Sequence, residues 1–471
     1  MINLKDKKVA IIGLGTEGIA VAKFLKENYQ ILILLDQSPE EKILENCPAN
    51  EKDFLKELLS RDNIKKEFSD QYLENLKSFD VIFRSPGLSF FNPKIQEAKK
   101  SGVTISSQLK LFFDLCPAKI IGVTGTKGKG TTSSLIYEIM KKNYKLQTTN
   151  HKPNVYLAGN IGYPALDLLE KIKQDDIVIL ELSSFQLMDL EKSPHIAVVT
   201  NLTIDHLDYH SNEEEYRSAK LNILTHQDKN DLAILNSGST FSAEQLKNIE
   251  SDIEYFGSNE ESDQCIVKNN EVILDPKNRN ELICKLSEIK LFGRHNLENI
   301  AAATLVADQI DVSIKTIQSV VADFKGLPHR LEFVREKDGI KFVNDSFATN
   351  PDPTMAAINS FSGDKILILG GSSKGAIFTE LAKKVAEANV KAVVLIGAEG
   401  HKIEQSLKLA GFSGQLIDGG TDINQIVNKS LSVAMSGDVI LFSPACASFD
   451  MFKNYKDRGD KYKKAVLNLS Q

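Results

Sequence analysis

Cysteine is scarce in this chain of 471 residues and follows no pattern. The five cysteines are an odd number without CxxC or Cys/His spacing, which argues against a disulfide framework and a structural zinc site. They fit a reducing cytoplasm, where the protein is expected. Long apolar runs are missing as well: nothing approaches the roughly 18 consecutive apolar residues that cross a bilayer. The opening MINLKDKKVAIIGLG places its charges before a short apolar run and has no small-residue cleavage site, so it reads as a first strand, and no membrane insertion is expected. Charge of one sign is not in excess, with 57 Lys and Arg against 63 Asp and Glu. Because the lysines are interleaved with carboxylates, no basic stripe marks a nucleic-acid partner, and a small substrate is expected. No internal repeat or low-complexity tract is evident. These exclusions leave an ordinary globular composition, 42% apolar and 25% charged, on a chain long enough for about three domains.

The most informative stretch is Gly122 to Thr132, GVTGTKGKGTT, set between an apolar run from Lys119 to Val123 and a helical pattern from Thr131 to Lys142. Strand, glycine-rich turn, lysine and threonine-opened helix describe a phosphate-binding loop. Glycines let successive N–H groups turn towards phosphate oxygens, the helix adds its positive N-terminal end, and Lys129 reaches the terminal phosphates. ATP or GTP is the expected ligand, held by Gly125, Thr126, Lys127, Gly128, Lys129, Gly130 and Thr131. Gly130 occupies the place after the lysine where a Ser or Thr hydroxyl usually meets Mg²⁺, so either Thr131 supplies that hydroxyl or a water does.

Further α/β patterns flank this loop. A strand at Lys8 to Ile12, the turn Gly13-Leu-Gly15-Thr-Glu-Gly18, helical spacing from Ile19 to Lys26 and a strand from Ile31 ending at Asp36 form a βαβ unit. Its acidic residue lies 23 positions after the first glycine, the place of a ribose-binding carboxylate. Alone this would predict NAD; equally, glycines at that turn serve close packing in any doubly wound domain. The polar stretch from Glu40 to Lys77 reads as helices and loops. A short strand from Asp80 to Phe83 then ends in Arg84-Ser85-Pro86-Gly87, at the edge where such sheets bind ligands. Strands at Ile177 to Leu180, Ile196 to Thr200 and Leu232 to Leu235 imply a second, mostly parallel sheet. Ser237 to Ile289 reads as small hairpins and turns of unresolved order. Strands at Ile340 to Asn344, Lys365 to Leu369, Ala392 to Ile396 and Val439 to Phe442 imply a third α/β unit. The expected fold is α/β in three domains: Rossmann-like over 1–117, a P-loop ATPase-like parallel sheet over 118–326, and Rossmann-like over 327–471.

Polar residues at the strand ends carry the candidate chemistry. Glu181, Asp205 and His206 follow apolar strands beside the phosphate loop and could converge on a metal, magnesium with ATP fitting better than zinc because the loop to His210 offers no cysteine. Lys220 sits on a helix whose apolar neighbours would draw it inward; the plain alternative is a solvated lysine. In the third unit Asn344-Asp345-Ser346, Gly370-Gly371-Ser-Ser-Lys374-Gly375 and Ser443-Pro-Ala-Cys-Ala-Ser448 each follow a strand and describe a pocket for a small anion. Cys446 is expected to pack rather than to act as a nucleophile.

These motifs, with GNIG at Gly159, ELSSFQL at Glu181, TNLTIDHLDYH at Thr200, GRHNLENIAAA at Gly293, GLPHRLE at Gly326, NDSFATNP at Asn344 and SPACASFDMFKNYKDRG at Ser443, resemble in order the Mur ligases, ATP-dependent amide-forming enzymes of peptidoglycan synthesis. Within that family the resemblance implies joining D-glutamate to UDP-N-acetylmuramoyl-L-alanine (UDP-MurNAc-L-Ala) through an acyl phosphate. The glutamate pocket could equally take L-glutamate, and the GKG form of the loop is similar to folylpolyglutamate synthase, a relative without the N-terminal domain. The resemblance implies ATP with two Mg²⁺ ions, Thr131 and Glu181 serving one, His206 and a carbamylated Lys220 the other. It implies Lys129, Lys220 and His206 as catalytic groups, and Asn299, Arg330 and Asp345 on ATP. The uridine nucleotide would meet Gly15, Thr16, Asp36, Ser85, Pro86, Gly87 and Asn160; glutamate would meet Thr349, Lys374, Ser448 and Tyr455. A monomer is expected. Lys127 stands where the family usually has Asn, and Phe347 where a lysine is often found.

Overall fold

The computed structural model describes residues 4–146, 152–203, 209–239, 241, 243–373 and 375–469. Three sheets organise them. The first has five parallel strands, β1 (Lys8–Ile12), β2 (Ile31–Asp36), β3 (Ile64–Phe68), β4 (Val81–Arg84) and β5 (Thr104–Ser106), in the order β3-β2-β1-β4-β5. Parallel strands covered on both faces read as continuous apolar runs; Val9, Ala10, Ile11, Leu32 and Leu34 are fully buried. The order reverses between β1 and β4, and the Gly13 turn and Ser85-Pro86-Gly87 leave those two strand ends. The polar stretch expected as helices and loops contains β3. Of its sequence IKKEF only Ile64 is buried while Lys65 and Lys66 face water, the composition of an edge strand.

The second sheet has nine strands: β6 (Lys119–Thr124), β7 (Val155–Gly159), β8 (Ile177–Glu181), β9 (Ile196–Val199), β10 (Leu232–Asn236), β11 (Asp252–Gly257), β12 (Cys265–Lys268), β13 (Glu271–Leu274) and β14 (Glu281–Lys285). Their order is β14-β13-β12-β11-β10-β9-β6-β8-β7, so the strand feeding the phosphate loop lies between β8 and β9. From β7 to β12 the pairs are parallel. The stretch from Ser237 to Ile289 contains a hairpin of β12 with β13, turned by Asn269 and Asn270, both with positive φ. The helix after the phosphate loop spans Lys129–Leu146, beginning two residues before the sequence reading placed it.

The third sheet comprises β15 (Glu332–Lys337), β16 (Ile340–Asn344), β17 (Lys365–Gly370), β18 (Val390–Ile396), β19 (Gln415–Gly420) and β20 (Val439–Phe442), ordered β15-β16-β20-β17-β18-β19. β15 is antiparallel to β16, and the remaining pairs are parallel. The chain divides into two compact units, Met1–Cys284 with Leu297–Val320, and Lys285–Asn296 with Val321–Gln471. The first two sheets share one unit, where Leu111 and Leu166 join the core of the first sheet. In the other, Phe292 packs on Phe361 at 4.9 Å and on Phe333 at 6.2 Å between ring centroids. Among the described residues no helix is long and apolar enough to cross a membrane.

Candidate active site

The phosphate loop is shaped by two glycines that no other residue could replace without movement. Gly125 and Gly128 have φ of +145° and +85°, and a Cβ would lie 2.0 Å from Thr200 Oγ1 at the first and 2.3 Å from Asn299 Oδ1 at the second. Neighbouring strand ends then strap the loop. Asn201 Oδ1 accepts the amides of Thr126 (3.2 Å) and Lys127 (2.8 Å), its Nδ2 donates to Lys127 O (2.9 Å), and Thr200 Oγ1 donates to Lys127 O (2.6 Å). Thr126 Oγ1 donates to Thr203 O (2.9 Å) and accepts from the buried Tyr216 hydroxyl (3.0 Å). Thr200, Asn201 and Tyr216 carry no role in the sequence reading; the signal for Thr200 and Asn201 is the polar run directly after β9, the strand that pairs with β6, whereas Tyr216 lies on the helix Glu213–Leu221 with no such signal.

Two lysines converge on one carbonyl of this loop. Lys129 Nζ donates to Gly125 O (2.8 Å) and Thr126 O (3.1 Å), and Lys220 Nζ donates to Gly125 O (2.8 Å). Lys220 is 2% exposed and lies 4.7 Å over the Tyr216 ring, so it is buried at the loop and not a solvated lysine. Asn299 Oδ1 accepts from the buried Thr132 hydroxyl (3.3 Å), while Thr131 is partly exposed and Gly130 is buried in the first turn.

Glu181, at the end of β8, is buried and its Oε1 accepts from Asn160 Nδ2 (3.1 Å). The resemblance gave these two residues separate tasks; the structure places them together. Asp205 and His206 lie outside the described residues. His210 is buried between Ser184 Oγ (3.0 Å from Nε2) and Glu215 Oε1 (3.2 Å from Nδ1) and stacks on Phe185, so both its nitrogens are engaged within the fold. Among the described residues no group of three His, Cys, Asp or Glu side chains could by itself hold a metal.

At the first sheet, glycines serve packing at two places and leave room at a third. A Cβ on Gly13 (φ +83°) would lie 2.8 Å from Ser85 Cβ and one on Gly18 2.0 Å from Gly13 O, whereas one on Gly15 would meet nothing within 4 Å. Both oxygens of Asp36 accept backbone amides, from Leu14 (3.0 Å) and Ser38 (2.8 Å), so this carboxylate shapes the turn as well as flanking it. Thr16 and Gly87 are exposed, with Ser85 and Pro86 partly so. Behind them Arg84 and Asp189 form a buried ion pair (2.7 Å), Tyr209 donates to Pro86 O (2.6 Å), and Gln186 Nε2 donates to Glu17 Oε1 (2.6 Å). Burial pushes the Glu17 carboxyl upward from its ordinary range.

In the third sheet the three small-residue loops leave β16, β20 and β17, which are adjacent. Asp345 accepts from Ser443 Oγ (2.6 Å) and the Leu331 amide (3.1 Å), and burial pushes its carboxyl up to about 7. Arg458 is fully buried and donates to Ser346 Oγ and O, Cys446 O and Ala447 O, tying two of the loops together. Sequence reasoning gave Arg458 no role. Ser448 is buried, Thr349 and Tyr455 are partly exposed, and Tyr455 O accepts from Ser346 Oγ (2.8 Å). Lys374 lies outside the described residues. Arg330 places its guanidinium carbon 3.7 Å from the centre of the Phe347 ring. The Cys446 thiol is pushed up to about 12, chiefly by burial, which suits packing rather than nucleophilic chemistry.

Three family models match this chain: the Mur ligase MurD-like N-terminal domain over residues 7–107, the Mur ligase middle domain over 123–307, and the Mur ligase glutamate ligase domain over 329–446. The UDP-N-acetylmuramoylalanine--D-glutamate ligase of Acetivibrio thermocellus is 39% identical over 99% of this chain and 97% of its own length. The chain belongs to the Mur ligase family. A second Mur ligase with the same name, from Clostridium novyi, is 37% identical over 99% of this chain and 98% of its own. Among solved Mur ligases, the UDP-N-acetylmuramate-alanine ligase MurC of Thermotoga maritima matches with a TM-score of 0.58 at 20% identity, covering 98% of this chain and 99% of that one. MurF from the same organism, solved in complex with ADP, gives 0.52 at 18% identity, covering 98% and 96%. Both likenesses establish the three-domain Mur ligase fold. Membership overturns the NAD reading of the Gly13 turn: this Mur ligase is an enzyme of a family that uses ATP.

Proposed function

We propose that this Mur ligase joins D-glutamate to UDP-MurNAc-L-Ala at the expense of ATP, in the cytoplasm and as a monomer. The reaction type rests on the phosphate loop with Lys129 and the buried Lys220 converging on Gly125 O. The choice of substrates rests on relatives that carry this activity in their names and align with nearly the whole chain.

In the first step an oxygen of the alanine carboxylate attacks the γ-phosphorus of ATP, the bond to the bridging oxygen breaks and ADP leaves. In the second, the glutamate amine adds to the acyl carbon, the tetrahedral intermediate expels inorganic phosphate, and the nitrogen gives up a proton to leave an amide. Lys129 and the loop amides spread the charge of the phosphoryl group during transfer. Glu181 and Thr131 offer oxygen donors, one a buried carboxylate, which suit a hard cation such as Mg²⁺. Bound there, Mg²⁺ would neutralise phosphate charge. The Lys220 ammonium gives up one proton, the freed amine adds CO₂ and a second proton leaves, giving a carbamate, an anion that with His206 could hold a second Mg²⁺ beside the substrate carboxylate. Gly15, Thr16, Asp36, Ser85, Pro86, Gly87 and Asn160 take the uridine nucleotide; Asn299, Arg330 and Asp345 serve ATP; Thr349, Lys374, Ser448 and Tyr455 take glutamate.

The test is phosphate release from ATP with UDP-MurNAc-L-Ala and either D- or L-glutamate, each component omitted in turn. Release that requires the nucleotide-sugar and D-glutamate is expected. Preference for L-glutamate would keep the mechanism and rewrite the pocket; no release with either would overturn the proposal.

A further inference from the structure

Arg330 sits in a turn that the backbone does not adopt by default. The residues on either side of it, His329 and Leu331, have φ of +65° and +43°, a region that L side chains enter at a cost and keep only where the surroundings over-determine it. Here the surroundings are the loop after β16. The Phe347 amide donates to His329 O (3.0 Å), and Asp345 Oδ1 accepts from the Leu331 amide (3.1 Å), so the turn is strapped on both sides of Arg330. The guanidinium lies over the Phe347 ring at 3.7 Å. That ring is 37% exposed and stands edge-on to Tyr455, at 5.1 Å and 87°. Tyr455 stands edge-on to His329 at 6.2 Å and 82°, so the aromatic ladder returns to the turn from which it started.

We propose that Phe347 is a positioning residue that holds the Arg330 guanidinium for a phosphate oxygen of the nucleotide. The inference rests on the ligase reading above and adds a residue to it. A planar, weakly hydrated guanidinium stacks on an aromatic face while keeping its N–H edge in its own plane, the direction from which phosphate oxygens take paired bonds. A lysine could not be held this way with the same geometry, because its ammonium is a compact, strongly hydrated charge. Strain in the turn and stacking of the side chain serve the same end: fewer conformations are left to lose when the anion binds.

The experiment measures KM and kcat for ATP in phosphate release by the full-length protein, with the direct affinity for ATP determined by calorimetry, for the unchanged chain and for Phe347→Leu, Phe347→Tyr, Arg330→Ala and Arg330→Ala/Phe347→Leu. Loss of the stacking ring is expected to raise KM for ATP about fivefold. KM for the nucleotide-sugar should stay within about twofold, and Phe347→Tyr, which keeps the ring, should restore the original value. Phe347→Leu should add nothing further to Arg330→Ala. An unchanged KM in Phe347→Leu, or the same loss on the Arg330→Ala background, overturns the proposal. If the unchanged protein binds ATP but does not turn over the proposed substrates, the substrate reading fails while the same comparison of ATP affinities still decides the role of Phe347.

Discussion

Removing the carboxylate of Asp189 should loosen the joint between the first two domains by a predictable amount. The Arg84–Asp189 pair is 2.7 Å long with side chains 1% and 2% exposed, so Asp189→Ala would strand a guanidinium out of water. Breaking a buried pair from one side typically costs about 3–5 kcal/mol, because the remaining charge is uncompensated. Arg84 keeps carbonyl partners, Leu88 O at 2.5 Å and Ser85 O at 3.2 Å, which places the expected loss near the lower end, about 3 kcal/mol. Replacing both partners by apolar residues of similar volume, Arg84→Met with Asp189→Leu, should return most of that, leaving a deficit of about 1 kcal/mol or less. Urea denaturation followed by fluorescence of a probe on the first domain would read both, with transitions analysed separately because a chain of several domains need not unfold in one step. KM for the nucleotide-sugar should rise in the single variant, since Ser85 and Pro86 directly follow Arg84. A loss below about 1 kcal/mol in Asp189→Ala, or a double variant no more stable than the single, would refute the reasoning.

Lys129→Ala should lower phosphate release on the order of 100-fold or more without unfolding the protein, since a preorganised charge at the transferring group is lost; steady-state rates beside a thermal melt check it. Gly125→Ala should cost activity comparably, because its Cβ would enter Thr200 Oγ1 at 2.0 Å from a φ of +145°, and a crystal structure of the variant should find the loop displaced. With isotopically labelled bicarbonate, a carbamate resonance should appear in the unchanged protein and be missing in Lys220→Arg. Asp345 offers a pH test. Its folded carboxyl, raised from 3.8 to about 7, holds its proton where the unfolded one has lost it. Its contribution is therefore complete below pH 4 and is lost as pH rises to about 7, a change of at most about 4 kcal/mol. Asp345→Asn should flatten that decline in denaturation curves taken between pH 5 and 8.

The strands the sequence revealed are those in sheet interiors, and those it concealed are mostly at edges. β1, β2, β8, β9, β17 and β20 are continuous apolar runs because helices cover both faces and strands pair on both sides. β3, β7, β15 and β19 border their sheets, and residues such as Lys65, Lys66 and Arg335 need no burial there. The site divides in a similar way. Gly125, Gly128 and Lys129 stand in one contiguous motif whose chemistry is local. Thr200, Asn201 and Tyr216 act on that loop from 73 to 90 positions away, through strand order that no spacing in the chain discloses. Arg458 was hidden for a further reason: an arginine with 0% exposure contradicts the usual expectation for its residue type, and only its four acceptors make the burial tolerable.

The division of the chain bears on how the protein can be taken apart. Residues 285–296 belong with 321–471, yet 297–320 lie between them in sequence and belong elsewhere. Phe292, on that early segment, fills a place between Phe333 and Phe361. A fragment beginning after Val320 would therefore lose this aromatic contact and bare more of the rings of Phe361 and of Phe333, which is already 42% exposed. The glutamate ligase domain of this chain is not a module that one cut can free: exchange with a relative, or expression by itself, would have to carry the short upstream segment along, joined by a new linker in place of 297–320.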